Sequence, residues 1–175
     1  MRKVYMAVSL DGFIAGPDND LDWLEQLANP DGDDFGFADH MASIDAVVMG
    51  RGTFEAVSGF RPWPYEKPVV VVSSSLRELP DDLADSVELI SGSPGEVIDK
   101  CHQRGFDDLY IDGGSFVTAF LSEGLIDEMT ISTLPVLLGG GTRLFGSFPA
   151  AVWWDHVRTR SFAGGLVQST YRRPA

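Results

Sequence analysis

The most informative stretch of the sequence is Asp45-Ala46-Val47-Val48-Met49-Gly50-Arg51-Gly52-Thr53-Phe54-Glu55. It begins as an apolar run of the length of a buried strand and ends in two glycines around a cation, where a helix can start. A strand, a glycine turn and a helix start together present free backbone N–H groups to an anion, and Arg51 adds a guanidinium suited to phosphate. The stretch predicts a phosphate-binding turn at the carboxyl end of a central strand. The alternative is an ordinary βα turn in which Gly50 and Gly52 only relieve strain.

Two more predicted strands end in similar chemistry. The strand Asp108–Asp112 is followed by Gly113-Gly114-Ser115 and a helical run, and we expect Ser115 to cap that helix. Four consecutive valines, Val69–Val72, indicate a strand buried on both faces, and this strand ends in three serines. Because the carboxyl ends of parallel strands meet at one edge of a sheet, the three endings favour a common phosphate-bearing ligand there.

The remaining segments complete an α/β pattern that ends in an antiparallel hairpin. Residues 152–162 and 166–173 are predicted strands joined by Gly164-Gly165. Trp153 and Trp154 are adjacent, so on a strand they face opposite sides and at least one needs cover, which favours a homodimer. The loop 10–20 keeps apolar residues among glycines, so it either covers a bound ligand or packs on its own small core.

Composition limits the classes of function. The 175 residues fit one domain, residues 1–175, and the net charge of −13 makes nucleic acid and anionic membranes poor partners. We expect no signal peptide and no membrane span, and the single cysteine fits a cytoplasmic protein without disulfides. The three histidines lack the spacing of a metal site, so we expect no metal.

Two carboxylates are candidates for acid–base chemistry. Asp11 lies where the first strand ends, and Asp34 lies where a helix facing the ligand edge is expected to start. Either could supply a proton or orient a polar group of a substrate. The alternative role for each is structural, as a turn residue or a helix N-cap.

Six motifs together resemble the dihydrofolate-reductase-like superfamily. More closely, the chain is similar to the reductase domain at the C-terminus of the bacterial riboflavin-biosynthesis deaminase/reductase. The motifs follow the family order over almost the whole chain, and the set is specific although no single motif is. They are residues 9–15, 48–55, 72–74, 112–115, 124–128 and 135–141.

The resemblance implies a three-layer fold whose mostly parallel central sheet has an antiparallel last strand, with NADPH lying across its carboxyl edge. The residues it assigns to the cofactor fall into four groups. Gly50, Arg51, Gly52 and Thr53 would hold the adenosine side and pyrophosphate; Ser73, Ser74 and Arg77 the ribose 2′-phosphate; Gly113, Gly114, Ser115 and Phe116 the other side of the pyrophosphate; and Ala7, Ile14, Ala15 and Gly16 the nicotinamide.

The resemblance also implies an activity, namely reduction of a small-molecule acceptor by NADPH, of the 5-amino-6-(5-phosphoribosylamino)uracil reductase type. Asp34 matches the acidic residue that contacts the pterin in dihydrofolate reductases, so the alternative activity is dihydrofolate reduction. A third possibility is a nucleotide-binding module without catalysis. The sequence has no H-x-E with P-C-x-x-C, so we expect a stand-alone reductase without the deaminase half.

Overall fold

The structure is a computed structural model that describes every residue, Met1–Ala175. Ten strands and five α-helices form along the chain. The strands are β1 (Arg2–Val8), β2 (Phe13–Ala15), β3 (Ala46–Gly50), β4 (Val69–Val72), β5 (Val87–Ile90), β6 (Leu109–Asp112), β7 (Glu128–Thr133), β8 (Thr142–Arg143), β9 (Asp155–Ser161) and β10 (Val167–Arg172). The helices are α1 (Asp22–Glu25), α2 (Phe37–Ala42), α3 (Arg51–Val57), α4 (Pro94–His102) and α5 (Gly114–Ser122).

Eight strands form one sheet in the order β5-β4-β3-β6-β1-β7-β10-β9. All neighbours from β5 to β7 pair in parallel, whereas β10 runs antiparallel to both β7 and β9. The predicted mostly parallel sheet with an antiparallel C-terminal hairpin is therefore confirmed. This topology brings the ends of β3, β4 and β6 to the same sheet edge, as the sequence predicted.

Helices cover both faces of the sheet and make the fold three-layered. On one face, Val48 and Ile111 pack with residues of α4 and α5. On the other face, Val47 and Tyr110 pack with Phe54 and Val57 of α3. Each central strand therefore sends alternate side chains into two separate cores, which explains why these strands are apolar at consecutive positions.

The structure corrects three details. Helix α5 begins at Gly114, so Ser115 lies inside the helix and the N-cap is Gly113, which has no side-chain cap. Trp153 and Trp154 precede β9 rather than lying on it. The loop 10–20 contains β2, which pairs with β8 in a separate two-stranded sheet that the sequence pattern did not predict. No helix has both the length and the apolar character needed to cross a bilayer.

Candidate functional site

A cavity of about 710 Å³ opens at the carboxyl edge of the sheet, between β1, β3 and β6. Its volume is in the range of small-molecule and cofactor sites. It is lined by residues of the two helix starts, of the loop 10–20 and of the central strands. The lining comprises Tyr5, Met6, Ala7, Ile14, Ala15, Asn19, Leu21, Leu24, Gly50, Arg51, Gly52, Thr53, Ala56, Val57, Tyr65, Val72, Tyr110, Asp112, Gly113, Gly114, Ser115, Phe116, Ala119 and Thr142.

One part of the lining, here called the glycine side, is formed by the N-termini of α3 and α5 with Gly50, Gly52, Gly113 and Gly114. Neither helix has a side-chain cap. By contrast, α4 begins away from the cavity with a full capping box between Ser93 and Glu96. The first N–H groups of α3 and α5 are therefore left for a ligand, and the helix dipoles favour an anionic one.

Glycines at the starts of α3 and α5 allow groups of neighbouring elements to lie close to the backbone. Gly113 has φ +103°, and a Cβ there would collide with the Thr53 hydroxyl of the neighbouring helix start. A Cβ on Gly114 would collide with the Arg143 carbonyl of β8. A Cβ on Gly52 would meet nothing within 4 Å, so this glycine leaves open space at the cavity. The glycine side thus fits a phosphate-bearing cofactor, because it combines free N–H groups with room for close approach.

Arg51 contributes the positive charge of the glycine side. Its Nε donates to Glu55 Oε1 at 2.6 Å and its Nη1 donates to Ser75 Oγ at 2.9 Å. These contacts direct the guanidinium toward the segment after β4, which is the outer part of the sheet edge. Planar donor geometry at that position suits a phosphate group.

The other part of the lining, here called the tyrosine side, lies on the α3 face of the sheet and is formed by Tyr5, Tyr65, Tyr110 and Asp112. The Tyr110 hydroxyl donates to the Tyr5 carbonyl at 2.8 Å. The Tyr5 hydroxyl donates to the Phe35 carbonyl at 2.7 Å and accepts from Gln168 Nε2 at 2.9 Å. Both hydroxyls are therefore occupied within the protein, and their rings are held as fixed walls.

Asp112 is the buried carboxyl of the cavity. It ends β6 and is 7% exposed, and its one side-chain hydrogen bond comes from the Tyr65 hydroxyl at the long distance of 3.5 Å. Burial raises the pKa of Asp112 to about 6, although hydrogen bonds from Gly113 and Tyr65 oppose the rise. Burial likewise raises the pKa of Tyr65. A weakly partnered carboxyl that gains and loses its proton near neutrality can exchange a proton with a bound molecule.

The structure brings eleven of the predicted cofactor residues together around the cavity: Ala7, Ile14, Ala15, Gly50, Arg51, Gly52, Thr53, Gly113, Gly114, Ser115 and Phe116. The other four, Gly16, Ser73, Ser74 and Arg77, lie outside its lining. Ser73 Oγ instead accepts from the N–H groups of Ser75 and Leu76 and shapes the turn after β4.

Neither predicted acid, Asp11 nor Asp34, is in the cavity lining. Asp34 accepts from the N–H groups of Gly36 at 2.8 Å and Ala38 at 2.9 Å, which fixes the start of α2 and lowers its pKa. Asp11 accepts from Ser9 Oγ at 2.6 Å and from the N–H groups of Leu138 and Gly139. The Ser9 hydrogen bond is the main reason that the pKa of Asp11 falls to about 2. Both geometries match the structural alternative stated for these residues.

Sequence reasoning overlooked Asp112 and the three tyrosines as site residues. A signal for Asp112 was present, because an acid at the end of an apolar strand and directly before two glycines is held at the sheet edge. The tyrosines carried no such signal, since Tyr5 and Tyr110 read as ordinary strand residues and Tyr65 lies in a proline-containing loop.

The chain matches the RibD C-terminal domain family over residues 3–167, and it belongs to that family. Its structure is similar to that of a protein from Shewanella sp. PV-4 assigned to riboflavin biosynthesis, with 41% identity and a TM-score of 0.94 over 99% of both chains. The resemblance found in the sequence motifs is thereby confirmed.

Two more distant structures share the fold. The first is a deaminase/5-amino-6-(5-phosphoribosylamino)uracil reductase from Thermotoga maritima, with 15% identity and a TM-score of 0.79 over 99% of this chain and 56% of that one. The second is the dihydrofolate reductase of Enterococcus faecalis in complex with NADP(H), with 21% identity and a TM-score of 0.70. The match covers 100% of this chain and 97% of that one. Both structures share a dihydrofolate-reductase-like fold with this chain.

Proposed function

We propose that residues 1–175 form an NADPH-dependent reductase that passes a hydride to a small planar acceptor. One observation carries the proposal. A single cavity joins the uncapped N-terminus of α5, suited to a cofactor phosphate, to the buried carboxyl of Asp112, suited to proton exchange. Reduction of a C=N or C=O bond requires both a bound hydride donor and a proton source.

The glycine side would hold the cofactor. The N–H groups of Gly114 and Ser115 would bind the pyrophosphate. Arg51 would bind a phosphate on the adenosine side of the cofactor. Ala7 and Ile14 would flank the nicotinamide, because they line the cavity beside β1. NADPH, when bound, supplies the hydride, so the protein needs to provide orientation and a proton.

The geometry favours Asp112 for the proton, with Tyr65 as its hydrogen-bonding partner. A group with a pKa of about 6 is partly protonated at neutral pH, so it can donate a proton to the acceptor and recover it from water. Asp34 and Asp11 stay predictions for this role, although their oxygens already accept several hydrogen bonds outside the cavity lining.

The first acceptor to assay is 5-amino-6-(5-phosphoribosylamino)uracil, which the Thermotoga reductase is named for. The second is dihydrofolate, named by the Enterococcus enzyme of the same fold. Turnover that methotrexate inhibits would favour dihydrofolate reduction. Tight cofactor binding without turnover of any acceptor in a broad panel would favour a non-catalytic nucleotide-binding module.

Thermal unfolding with NADPH, with NADH and without ligand tests the proposal. At a concentration a hundredfold above the dissociation constant, binding adds about 2.7 kcal/mol to the free energy of unfolding. For a chain of this size we expect the midpoint temperature to rise by roughly 5–10 °C. A rise with NADPH and little rise with NADH supports the proposal, whereas no rise with either nucleotide contradicts it.

A further inference from the structure

We propose that the acceptor reduced at this site carries no phosphate and is a neutral or cationic planar heterocycle whose N–H groups face Asp112. This inference rests on the proposed function, because it concerns the tyrosine side of the same cavity. It narrows that function, since it selects against a phosphoribosyl acceptor although the family includes an enzyme named for one.

The charges of the lining support the inference. Arg51 is the single lysine, arginine or histidine among the lining residues, and Asp112 is the single acid. Asp112 lies on the tyrosine side, where the other lining side chains are aromatic, apolar or small. A phosphate monoester placed there would lack a cation and would face a carboxyl, which is unfavourable in a site shielded from water.

Arg51 is directed away from the tyrosine side. Its guanidinium binds Ser75, which follows β4, and β4 is separated from β1 in the sheet by β3 and β6. The side chain is also paired with Glu55. Its charge therefore serves the outer, glycine side of the cavity and is not free for an acceptor held against Tyr5 on β1.

Other positive features near the tyrosine side are either occupied, neutral at pH 7 or outside the lining. The N-terminus of α2 is beside Tyr5, but the Asp34 carboxylate occupies its amides. His40 stacks on the Tyr5 ring at 4.7 Å, and burial lowers its pKa to about 4, so it is neutral at pH 7. Arg160 stacks on Phe162 at 4.8 Å outside the lining.

Charged groups of both signs lie near Tyr5. Burial is the main reason that the pKa of Tyr5 is raised; Asp34 and Asp33 add to the rise, while Gln168 and Arg160 oppose it. Near Tyr5 these two carboxylates stand beside the guanidinium of Arg160 and, next to His40, the ammonium group of Lys3. All four groups lie outside the lining, so Asp112 is the charged group that a ligand on the tyrosine side meets directly.

The shape and hydrogen bonding of the tyrosine side define the remaining features of the acceptor. The rings of Tyr5, Tyr65 and Tyr110 with Leu24 and Val57 form apolar walls suited to a flat ring. The hydroxyls of Tyr5 and Tyr110 are already occupied, so Asp112 is the main free hydrogen-bonding group there. A carboxyl in this position selects for N–H donors such as those of amino or lactam groups.

The test uses matched pairs of ligands on the full-length protein saturated with NADP⁺, so that binding is measured without turnover. Each pair is an N–H-bearing heterocyclic nucleoside and its 5′-phosphate, beginning with 5-amino-6-ribosylaminouracil and its phosphorylated form. Isothermal titration calorimetry gives both dissociation constants. We expect the phosphate-free member to bind at least tenfold more tightly; a phosphorylated member that binds more tightly overturns the inference.

Two lysine variants test whether charge is the cause. Ala56 lines the cavity on α3, so Ala56→Lys adds the missing cation, and we expect the affinity ratio within each pair to shift about tenfold toward the phosphorylated member. Gly59→Lys is the control, because it adds the same charge just after α3, outside the lining, where a Cβ meets nothing within 4 Å. We expect it to leave the ratio unchanged; an equal shift in both variants contradicts a local effect.

Different results would contradict the reductase function and the inference about the acceptor. Absence of an NADPH-dependent rise in the unfolding temperature contradicts the proposed function itself. A normal rise with NADPH together with preference for the phosphorylated ligands leaves the reductase intact and overturns only the inference about the acceptor. The NADPH-dependent rise in Ala56→Lys also shows whether that variant keeps its fold.

Discussion

At the scale of single residues, Asp112 is a buried carboxyl whose charged form is costly to the folded protein. Its carboxyl is buried and its hydrogen bond with the Tyr65 hydroxyl is long, so its charged form is disfavoured in the folded protein. A residue retained only for packing would not need a charge there. The same features make Asp112 suited to bind or protonate a ligand in the cavity.

We predict that Asp112→Asn lowers kcat at least 100-fold, because an amide cannot donate a proton as a carboxylic acid does. NADPH binding should remain, since the glycine side is unchanged.

Asp34→Asn is the comparison, and the sequence alone predicts that this substitution also lowers turnover. The structure favours a change of only a few-fold, because Asp34 lies outside the cavity lining and the asparagine oxygen can still accept one of its two N–H hydrogen bonds. Steady-state kinetics of both variants with the true acceptor decide between the two carboxyls, and equal activity of Asp112→Asn would remove Asp112 from the reaction.

The raised pKa of Asp112 also predicts how the free energy of unfolding depends on pH. Its folded pKa of about 6 exceeds the unfolded value of about 3.9, so the folded state binds the proton more tightly between those values. The protonated carboxyl therefore stabilises the folded state at pH 4. About 3 kcal/mol of this stabilisation is lost as the pH rises through 6. We measure the free energy of unfolding in urea for Asp112→Asn and wild type. The value for the variant minus that for wild type should rise by about 3 kcal/mol between pH 4 and pH 7.5.

The control for that measurement is Asp99→Asn on the exposed surface of α4, which removes the same charge outside the cavity. Its stability relative to wild type should change little over the same pH range. A constant difference between wild type and Asp112→Asn at all pH values would mean that Asp112 titrates normally in the folded protein.

At the scale of elements, the starts of α3 and α5 at the cavity contrast with the capped start of α4. Helix α4 satisfies its first N–H groups with its own capping box, whereas α3 and α5 leave theirs to a ligand. The two helix starts at the cavity thus lack the stabilisation that a side-chain cap gives.

We predict that Gly52→Ala separates stability from binding. The added methyl group has open space around it, and alanine is favoured over glycine in a helix by about 0.5–1 kcal/mol, so the unliganded protein should be at least as stable as wild type. The methyl group occupies space at the cavity, so the rise in unfolding temperature with NADPH should shrink.

Gly95→Ala is the matched control for Gly52→Ala. Gly95 also lies in a helix with nothing within 4 Å of an added Cβ, but it is on α4 and outside the cavity lining. Differential scanning fluorimetry should show equal stabilisation of both variants without ligand and a reduced NADPH effect in Gly52→Ala alone. A full NADPH effect in Gly52→Ala would mean that the cofactor does not approach this turn.

At the scale of the whole molecule, exposed apolar residues lie beside an exposed edge strand. Strand β9 is at one end of the sheet and all its residues are exposed. Next to it, Trp153 is 82% exposed, while its neighbour Trp154 packs partly on the core. An open edge strand beside an exposed tryptophan is typical of surfaces that bind another chain.

We predict a homodimer at micromolar concentration, with a mass by light scattering of twice 19.1 kDa. Trp153→Ser should shift the protein toward monomer, because it removes the largest exposed apolar side chain beside β9. Leu137→Ser is the control, since Leu137 is 70% exposed but lies in the turn region after β7. A monomer in the wild-type protein would contradict the prediction.

The sequence alone predicted the central strands and helices, although not the small sheet of β2 and β8, and it predicted the sheet edge at which the glycine-containing turns meet. Those features depend on local patterns, such as apolar runs buried on both faces and glycines that follow strands, and neighbours along the chain suffice to encode them. The tertiary structure decided which charged groups meet at the cavity. Asp11 and Asp34 had promising positions in the sequence, but backbone N–H groups that fold beside them occupy their oxygens.

Asp112, Tyr5 and Tyr65 meet across long separations in the chain, because parallel strands and a loop bring them to one face of the sheet. Burial, which sets the pKa of Asp112 and the charge of the tyrosine side, is a property of that assembly. Tertiary packing alone therefore determined which carboxyl lines the cavity and how its pKa is shifted, because desolvation depends on all surrounding atoms and not on the residues adjacent in sequence.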